Sequence, residues 1–313
     1  MRKTLSLVVL LATIAGLVAT SSASTIGVVL PGSLLFFYRA MTKGIEHAAK
    51  DLHVELLIRS PSDGTSLDTH SNIQLRIVDY MVKSGVAGIL LVPEPLVDAA
   101  TPVLVAVPTV LIDRSNADYN AISAVRTDNF AAGKRAARCL LPVLPKGAKI
   151  AILRLAPEIN STTERENGFL SVAREAGWDV VIDTYVGYRP RDAEELVAKA
   201  LNGYVGHLDA VFAPAEPIAY GALRVIEARP ASDRPRLVVF DWRPEFMDAI
   251  IRGVIFADVV QDPYQMGYLA VETLVTALQG RSPKSQIFVD VVVITRANLN
   301  DRDVRAVLAN YDN

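Results

Sequence analysis

The sequence predicts an α/β protein of two lobes, each a doubly wound parallel sheet, with a hinge between them. Three observations lead there. Short apolar runs alternate with stretches of helical spacing along nearly the whole chain. The series of strand-then-helix units runs twice, which calls for two sheets with right-handed crossovers. The chain has 313 residues, more than one core comfortably serves.

Residues 25–30 (TIGVVL) form the kind of continuous apolar run that a strand covered on both faces needs. Residues 37–52 then repeat apolar side chains at helical spacing, through Met41, Ile45, Ala48 and Ala49. Strand 54–58 and helix 71–82 follow, the helix marked by Ile73, Ile77, Val78 and Met81. Two more strands are expected at 88–92 and 109–112; between them Pro95, Pro102 and Pro108 leave room only for a short or irregular helix. The second series reads strand 149–153, helix 161–176, strand 180–184, helix 192–201, strand 210–212, helix 218–228, strand 237–240 and helix 245–252. It ends with strand 255–260, a helix opened by Pro263 and running to 278, and a strand-rich run at 288–294.

Composition narrows the function. The chain is 51% hydrophobic and 21% charged, as a globular α/β protein is, and its formal net charge is −2. A mildly acidic balance provides no attraction for nucleic acid or an anionic membrane. The first residues read as a secretory leader, 1–24: Arg2 and Lys3, an apolar stretch from Leu5 to Ala19, then small residues with cleavage after Ala23 or Ser24. The apolar stretch is short for a span, which needs about 20 residues. No cysteine lies at the junction, so no lipid anchor is expected; the mature protein is expected to be soluble and exported to the periplasm.

Catalytic and metal chemistry leave little trace. Cys139 is the sole cysteine, in an apolar stretch of an expected helix, and reads as an inert thiol. His47, His53, His70 and His207 are scattered without metal-ligand spacing. No Walker loop, G-x-G-x-x-G or G-x-S-x-G motif occurs. Glu194 and Glu195 lie on a helix among polar neighbours and read as solvated. Neither an enzyme nor a cofactor is expected.

In open α/β sheets, ligands bind beyond the carboxyl ends of the strands. Polar residues stand at such points: Asp113 and Arg114, Glu216, Asp241, Gln261 and Asp262. Six patches now carry a resemblance: Phe37-Tyr38 with Gly44; Leu111 to Arg114; Thr127-Asp128-Asn129 with Gly133; Arg165 with Gly168-Phe169; Ala219 to Leu223; and Phe240-Asp241, extended by Gln261 and Gly267. Together they resemble the type I periplasmic binding proteins of the ribose/galactose-binding group, which share a fold with the ligand domains of LacI-type repressors. The chain has no helix-turn-helix ahead of that fold, so a repressor is not expected.

The resemblance implies three crossings between lobes, near residues 127, 261 and 290. Lobe one would then be 25–127 plus 262–290, and lobe two 128–261 plus 291–313. It implies ligand contacts from Asp113, Arg114, Arg165, Asp241 and Gln261, since carboxylates accept and guanidinium forks donate to vicinal hydroxyls. Each has a plainer reading: a surface ion pair for Asp113 and Arg114, a solvated helical charge cluster around Arg165, a helix cap for Asp241. Phe37 and Tyr38 would stack on a sugar ring, with Phe36 competing for the register; Tyr188 and Trp242 are further aromatic candidates. Departures from the ribose-type pattern are Leu34-Leu35 and Pro214-Ala215-Glu216 where amides are found, and Trp242 in place of a small residue. They imply a less polar cleft, for a different or deoxygenated sugar, a polyol or a non-sugar. The expected role is a monomeric solute-binding component of a sugar ABC importer, or alternatively a periplasmic sensor signalling to a membrane histidine kinase or chemoreceptor.

Overall fold

The computed structural model describes residues 24–31, 35–61, 67–96, 103–187, 192–204 and 206–311. The expected leader, except for Ser24, and the candidate Tyr188 lie outside them, as does Leu34.

The first series forms β1 (Thr25–Val29), α1 (Phe36–Asp51), β2 (Glu55–Arg59), α2 (Leu67–Lys83), β3 (Gly88–Leu91), β4 (Thr109–Ile112) and β5 (Ser123–Arg126). The second forms α3 (Asn129–Arg138), β6 (Lys149–Arg154), α4 (Asn160–Ala176), β7 (Asp179–Tyr185), α5 (Ala193–Ala200), β8 (Ala210–Ala213), α6 (Glu216–Glu227), β9 (Arg236–Phe240), α7 (Pro244–Ile251) and β10 (Ile255–Val260). The chain closes with α8 (Pro263–Leu278), β11 (Gln286–Phe288), β12 (Val292–Ile294) and α9 (Arg302–Ala309).

Two six-stranded sheets result, ordered β11-β5-β4-β3-β1-β2 and β12-β10-β9-β8-β6-β7. Both have the same winding: β1 pairs with β2 and β3, and β6 pairs with β7 and β8, all parallel. The strand-rich run at 288–294 holds β12 and the end of β11. β11 joins the first sheet in parallel, and β12 joins the second antiparallel to β10, so that sheet is mixed by one strand. Asp290 lies between them, and the chain changes sheet there. Among the described residues between β3 and β4 there is no helix, only a bridge from Val103 to Tyr119. The elements β5 and α9 have no counterpart in the periodicity, and α3 is anticipated only at its end, around Cys139; Ser123 and Arg126 break the apolar run of β5, and the Lys134–Arg135 pair that of α3.

Each lobe is braced by a close helix pair that glycine makes possible. In the first, a Cβ on Gly44 of α1 would fall 1.9 Å from the carbonyl oxygen of Tyr264 on α8, and one on Gly267 of α8 would fall 2.4 Å from that of Met41 on α1. In the second, a Cβ on Gly133 of α3 would fall 1.9 Å from the Arg165 carbonyl oxygen, and one on Gly168 of α4 would fall 2.1 Å from that of Phe130. The backbones touch where a side chain would hold them apart. These contacts fix α1 and α4, the helices that carry Tyr38 and Arg165.

Gly133→Ala forces that pair apart. Against the ordinary advantage of Ala over Gly in a helix, it is expected to destabilise the protein by about 1–3 kcal/mol, read as a lower midpoint in urea or thermal unfolding. An unchanged or raised midpoint would show that α3 and α4 do not pack this closely.

Candidate functional site

The first wall is built where β4 ends. Asp113 follows it with φ +67°, a left-handed conformation that costs about 1–3 kcal/mol for a residue with a side chain. Its amide still donates to the Val125 carbonyl of β5 at 2.9 Å, so the turn completes the sheet before leaving it. Tyr38, on the first turns of α1, donates its hydroxyl to Asp113 Oδ2 at 3.4 Å and accepts from Arg114 Nη2 at 3.1 Å. Arg114 Nη1 reaches Glu94 Oε2 at 3.2 Å, while its buried Nε has no hydrogen-bond partner among the described residues. Burial raises Asp113 above its ordinary carboxylate value, against the pull of Arg114 and, from the other lobe, Arg165.

The second wall repeats this construction. Asp241 follows β9, the strand equivalent to β4, with φ +69°, and its amide donates to the Val259 carbonyl of β10 at 3.1 Å. Gln261 Nε2 donates to Asp241 Oδ1 at 2.7 Å, and Thr127 Oγ1 donates to Gln261 Oε1 at 2.7 Å. Those two links join Asp241 to two of the three places where the chain passes between sheets. Tyr311 seals the second of them, donating its hydroxyl to the Gln261 carbonyl at 3.1 Å.

Arg165 is 2% exposed. Its Nε and Nη2 donate to Asn129 Oδ1 at 3.1 and 2.9 Å, and Nη1 donates to the Pro214 carbonyl at 2.6 Å. The guanidinium lies 3.7 Å from the centre of the Phe240 ring, and Nη1 is 3.6 Å from Asp241 Oδ2. Burial lowers its pKa, and Asp241 and then Asp113 act against that. The charge cluster read around it is therefore not a solvated helix face. Glu164 pairs with Arg126 of the first lobe at 2.7 Å. Glu166 is fully buried in the other direction, accepting from the Leu155 amide and from Arg154, each at 3.0 Å.

The aromatic candidates divide. Phe37 and Tyr38 meet edge to face at 5.2 Å and are buried with the first lobe's core. Phe36 is half-buried and packs against the second lobe's core, where Ala40 joins it one turn along α1. Trp242, 5% exposed, is buried in that same core with Ala215, Ile218 and Phe246. A cross-lobe hydrogen bond from the Asn160 side-chain amide to the Ser115 carbonyl adds to these contacts. The two lobes are thus in contact around the inward-facing charges.

Four functional-looking residues were not singled out as site candidates. Asn129 and Glu94 look like ordinary polar residues in sequence, and only their partners Arg165 and Arg114 give them a role. Glu216 was legible as a polar residue after a strand, and Arg243 was not. Asp258 of β10 is fully buried, and neither carboxylate oxygen has a hydrogen-bond partner among the described residues. Burial, and then Asp241, raise it well above the ordinary value. Cys139 is the C-cap of α3, half-buried, with Sγ donating to the Ala136 carbonyl at 2.9 Å; burial pushes its thiol up to about 12, which suppresses the thiolate. Among the described residues no group of His, Cys, Asp or Glu could hold a metal ion, and no helix is long and apolar enough to cross a membrane.

Two like-wound α/β lobes, joined by three chain crossings and facing each other with strand-end carboxylates and guanidiniums, define a two-lobed binding clamp. The profile of the family described as a periplasmic binding protein domain matches residues 26–282, and the chain belongs to that family. It is 29% identical to the ribose import binding protein RbsB of Bacillus subtilis (strain 168) over 256 residues, 80% of each chain. It is 26% identical to the D-allose-binding periplasmic protein of Escherichia coli (strain K12), over 85% of this chain and 89% of that one. Among solved structures, the periplasmic component of an ABC-type sugar transport system from Hahella chejuensis superposes with a TM-score of 0.77 at 29% identity, covering 87% of this chain and 99% of that one. A carbohydrate transporter solute-binding protein from Agrobacterium radiobacter, in complex with D-arabinose, shares the fold with a TM-score of 0.79 at 24% identity, over 92% and 99%.

The isolated Asp258 carboxyl makes stability depend on pH. Its pKa in the folded chain stands well above the unfolded value near 3.8, so the folded state keeps a proton that the unfolded chain sheds. The stability this proton confers is complete below 3.8 and is lost as pH rises towards the folded pKa. Asp258→Asn, uncharged throughout, is expected to gain on the parent by up to about 1.4 kcal/mol per pH unit across that window. Urea unfolding at pH 5 and pH 7 measures it; parallel curves for the two proteins would refute it.

Proposed function

We propose that this protein captures a sugar or related polyol between its lobes and delivers it to an ABC importer. One observation carries the reading most directly. Asp113 and Asp241, at equivalent strand ends of the two lobes, hold strained left-handed backbones, with Arg114 and Arg165 beside them, and Asp113 is close enough to feel both Arg165 and Asp241 of the other lobe. Carboxylates that accept in pairs and guanidiniums that donate in a plane suit a ring of hydroxyl groups. The relatives support it: the two named above are binding proteins for ribose import and for D-allose. Their stated roles are capture and import rather than catalysis, and none of these observations favours the sensor role.

In this reading lobe one is 25–127 with 262–290, lobe two is 128–261 with 291–313, and closure is a rotation about the crossings. Asp113, Arg114, Arg165, Asp241 and Gln261 contact the ligand, and the aromatic wall comes from Phe37 and Tyr38. Pro214 and Ala215 bring no side-chain amide, and Trp242 fills space in the second lobe. Those features support a ligand with fewer hydroxyls than ribose, or differently placed ones. The site lies in the periplasm, where such a clamp meets its permease.

Thermal unfolding against D-ribose, D-allose, D-arabinose, D-fucose and a series of polyols tests the reading. A ligand at about 1,000 times its dissociation constant adds about 4 kcal/mol to the native state and raises the midpoint by several degrees. A flat response across the panel would reject a sugar ligand. With the ligand in hand, Arg165→Ala and Asp241→Ala are each expected to weaken binding by about 2–5 kcal/mol, because each strands a buried charged partner. Calorimetry that found less than a few tenths of a kcal/mol for both would move the site elsewhere.

A further inference from the structure

We propose that Glu94 is a specificity-determining residue: it neutralises Arg114, leaves the interlobe centre with an excess of negative charge, and so admits an uncharged polyhydroxylated ligand while barring anionic relatives such as sugar acids and sugar phosphates. The inference rests on reading the space between the lobes as the ligand site, and not on which sugar fills it.

Glu94 stands beyond the carboxyl end of β3, the strand that pairs with β4, so it shares a rim with Asp113 and Arg114. It is 4% exposed, a burial that an unpaired carboxylate does not sustain. Gln74 of α2, fully buried, fixes its backbone: Gln74 Oε1 accepts from the Glu94 amide and Gln74 Nε2 donates to the Val92 carbonyl, each at 2.9 Å, so both sides of Pro93 are pinned. Arg114 holds its side chain, donating Nη1 to Glu94 Oε2 at 3.2 Å, with the Pro93 carbonyl 3.5 Å from that same nitrogen. On the other side of the guanidinium, Nη2 donates to the Tyr38 hydroxyl at 3.1 Å, and Nε lies 3.5 Å from Asp113 Oδ2. One cation therefore lies between two carboxylates.

Across the boundary, Arg165 gives three N–H groups to Asn129 and the Pro214 carbonyl and lies 3.6 Å from Asp241. Arg165 and Asp241 are both near enough to act on the charge of Asp113. The inward-facing set is thus Glu94, Asp113 and Asp241 against Arg114 and Arg165, with one negative charge in excess. Arg243, farther out, does not reverse this: it donates to Glu245 at 2.9 Å and lies 3.7 Å from Glu216. Burial, and then Asp241, push the Glu216 carboxyl up to about 8, and with or without its proton the sum stays negative. Hydroxyl groups answer such a centre, because each can donate to a carboxylate oxygen and still accept from a guanidinium. An ionised carboxylate or phosphate only accepts. It would need Arg114, whose Nη1 already faces Glu94, and it would bring a further negative charge into a buried site. Two like charges about 6 Å apart, at an effective dielectric of about 20, weaken binding on the order of 100-fold.

The experiment pairs each acid with its own uncharged amide, so that the two differ in charge: D-galacturonate with D-galacturonamide, and D-ribonate with D-ribonamide. Calorimetry compares the members of each pair on the wild type, Glu94→Gln and Glu94→Asp, each with its thermal midpoint checked. The wild type is expected to prefer the amide by about 100-fold. Glu94→Gln, which keeps the shape and an acceptor for Arg114 but removes the charge, is expected to bring acid and amide within about tenfold of each other. Glu94→Asp, which keeps the charge, is expected to go on rejecting the acid. Equal affinity of the wild type for acid and amide, or a preference undiminished in Glu94→Gln, would overturn the proposal. So would admission of the acid by Glu94→Asp, since the shape of the rim and not its charge would then decide. A merely structural role would lower the midpoints of both variants and leave the ratio of acid to amide where it was. A second arm reads the thermal midpoint of the wild type and Glu94→Gln with inorganic phosphate alone, at constant ionic strength. If no sugar or amide binds, the sugar reading fails, and this arm still decides: a rise confined to Glu94→Gln supports the freed Arg114, and equal responses overturn it.

Discussion

The burial of one guanidinium governs the centre of this molecule. Arg165 cannot shed its proton, and a charge at 2% exposure is tolerated only if every direction around it is answered. Asn129 takes two of its N–H groups, the Pro214 carbonyl takes a third, Phe240 offers the face of its ring, and Asp241 provides the counter-charge. Those partners come from three places in the fold, so the charge ties α3, β8's exit and β9's end into one arrangement. Asp241 in turn is held by Gln261, and Gln261 by Thr127, at two of the chain crossings. The polar centre and two of the connections between the lobes are one hydrogen-bonded unit.

The same logic explains the repeated details. A strand that ends in a left-handed aspartate turns its side chain out of the sheet while its amide still serves the neighbouring strand. That conformation is strained, and it occurs at equivalent strands of both lobes. Behind each wall a glycine-mediated helix pair removes slack, so that α1 and α4 meet the cleft from rigid supports. Rigid lobes with the freedom confined to three crossings are what a hinge requires. Some contacts that bridge the lobes are polar, from Glu164 to Arg126 and from Asn160 to Ser115, while Phe36 and Ala40 of α1 bridge them by packing with the second lobe's core.

Much of the architecture is legible along the chain, because buried parallel strands must be apolar on both faces and their helices on one. TVLI and IFADVV mark β4 and β10 at their observed limits. Where β5 and the start of α3 were missed, the cause is visible: Ser123 hydrogen-bonds the Lys284 carbonyl, a partner far off in sequence, and α3 buries mainly alanines whose periodicity is weak. The strand-rich run through Phe288 and Val292 serves two sheets; its apolarity does not show this, and the crossing expected near Asp290 came from the family resemblance. Of the site, the aspartates and arginines at strand ends could be named. The positive φ values, the role of Asn129, and the division of Glu164, Arg165 and Glu166 among three destinations could not.

The sequence by itself determined the class of fold, the order of its elements and the positions where polar side chains leave the sheets, because periodicity and strand ends are local properties. Only the tertiary structure decided which charges meet: that Arg165 is buried while its neighbours face elsewhere, that Phe36 and not Phe37 reaches the opposite lobe, and that Glu216 lies against the start of α1. Those outcomes depend on surfaces distant in the chain being brought together, and on the low dielectric that forms only once they enclose a site.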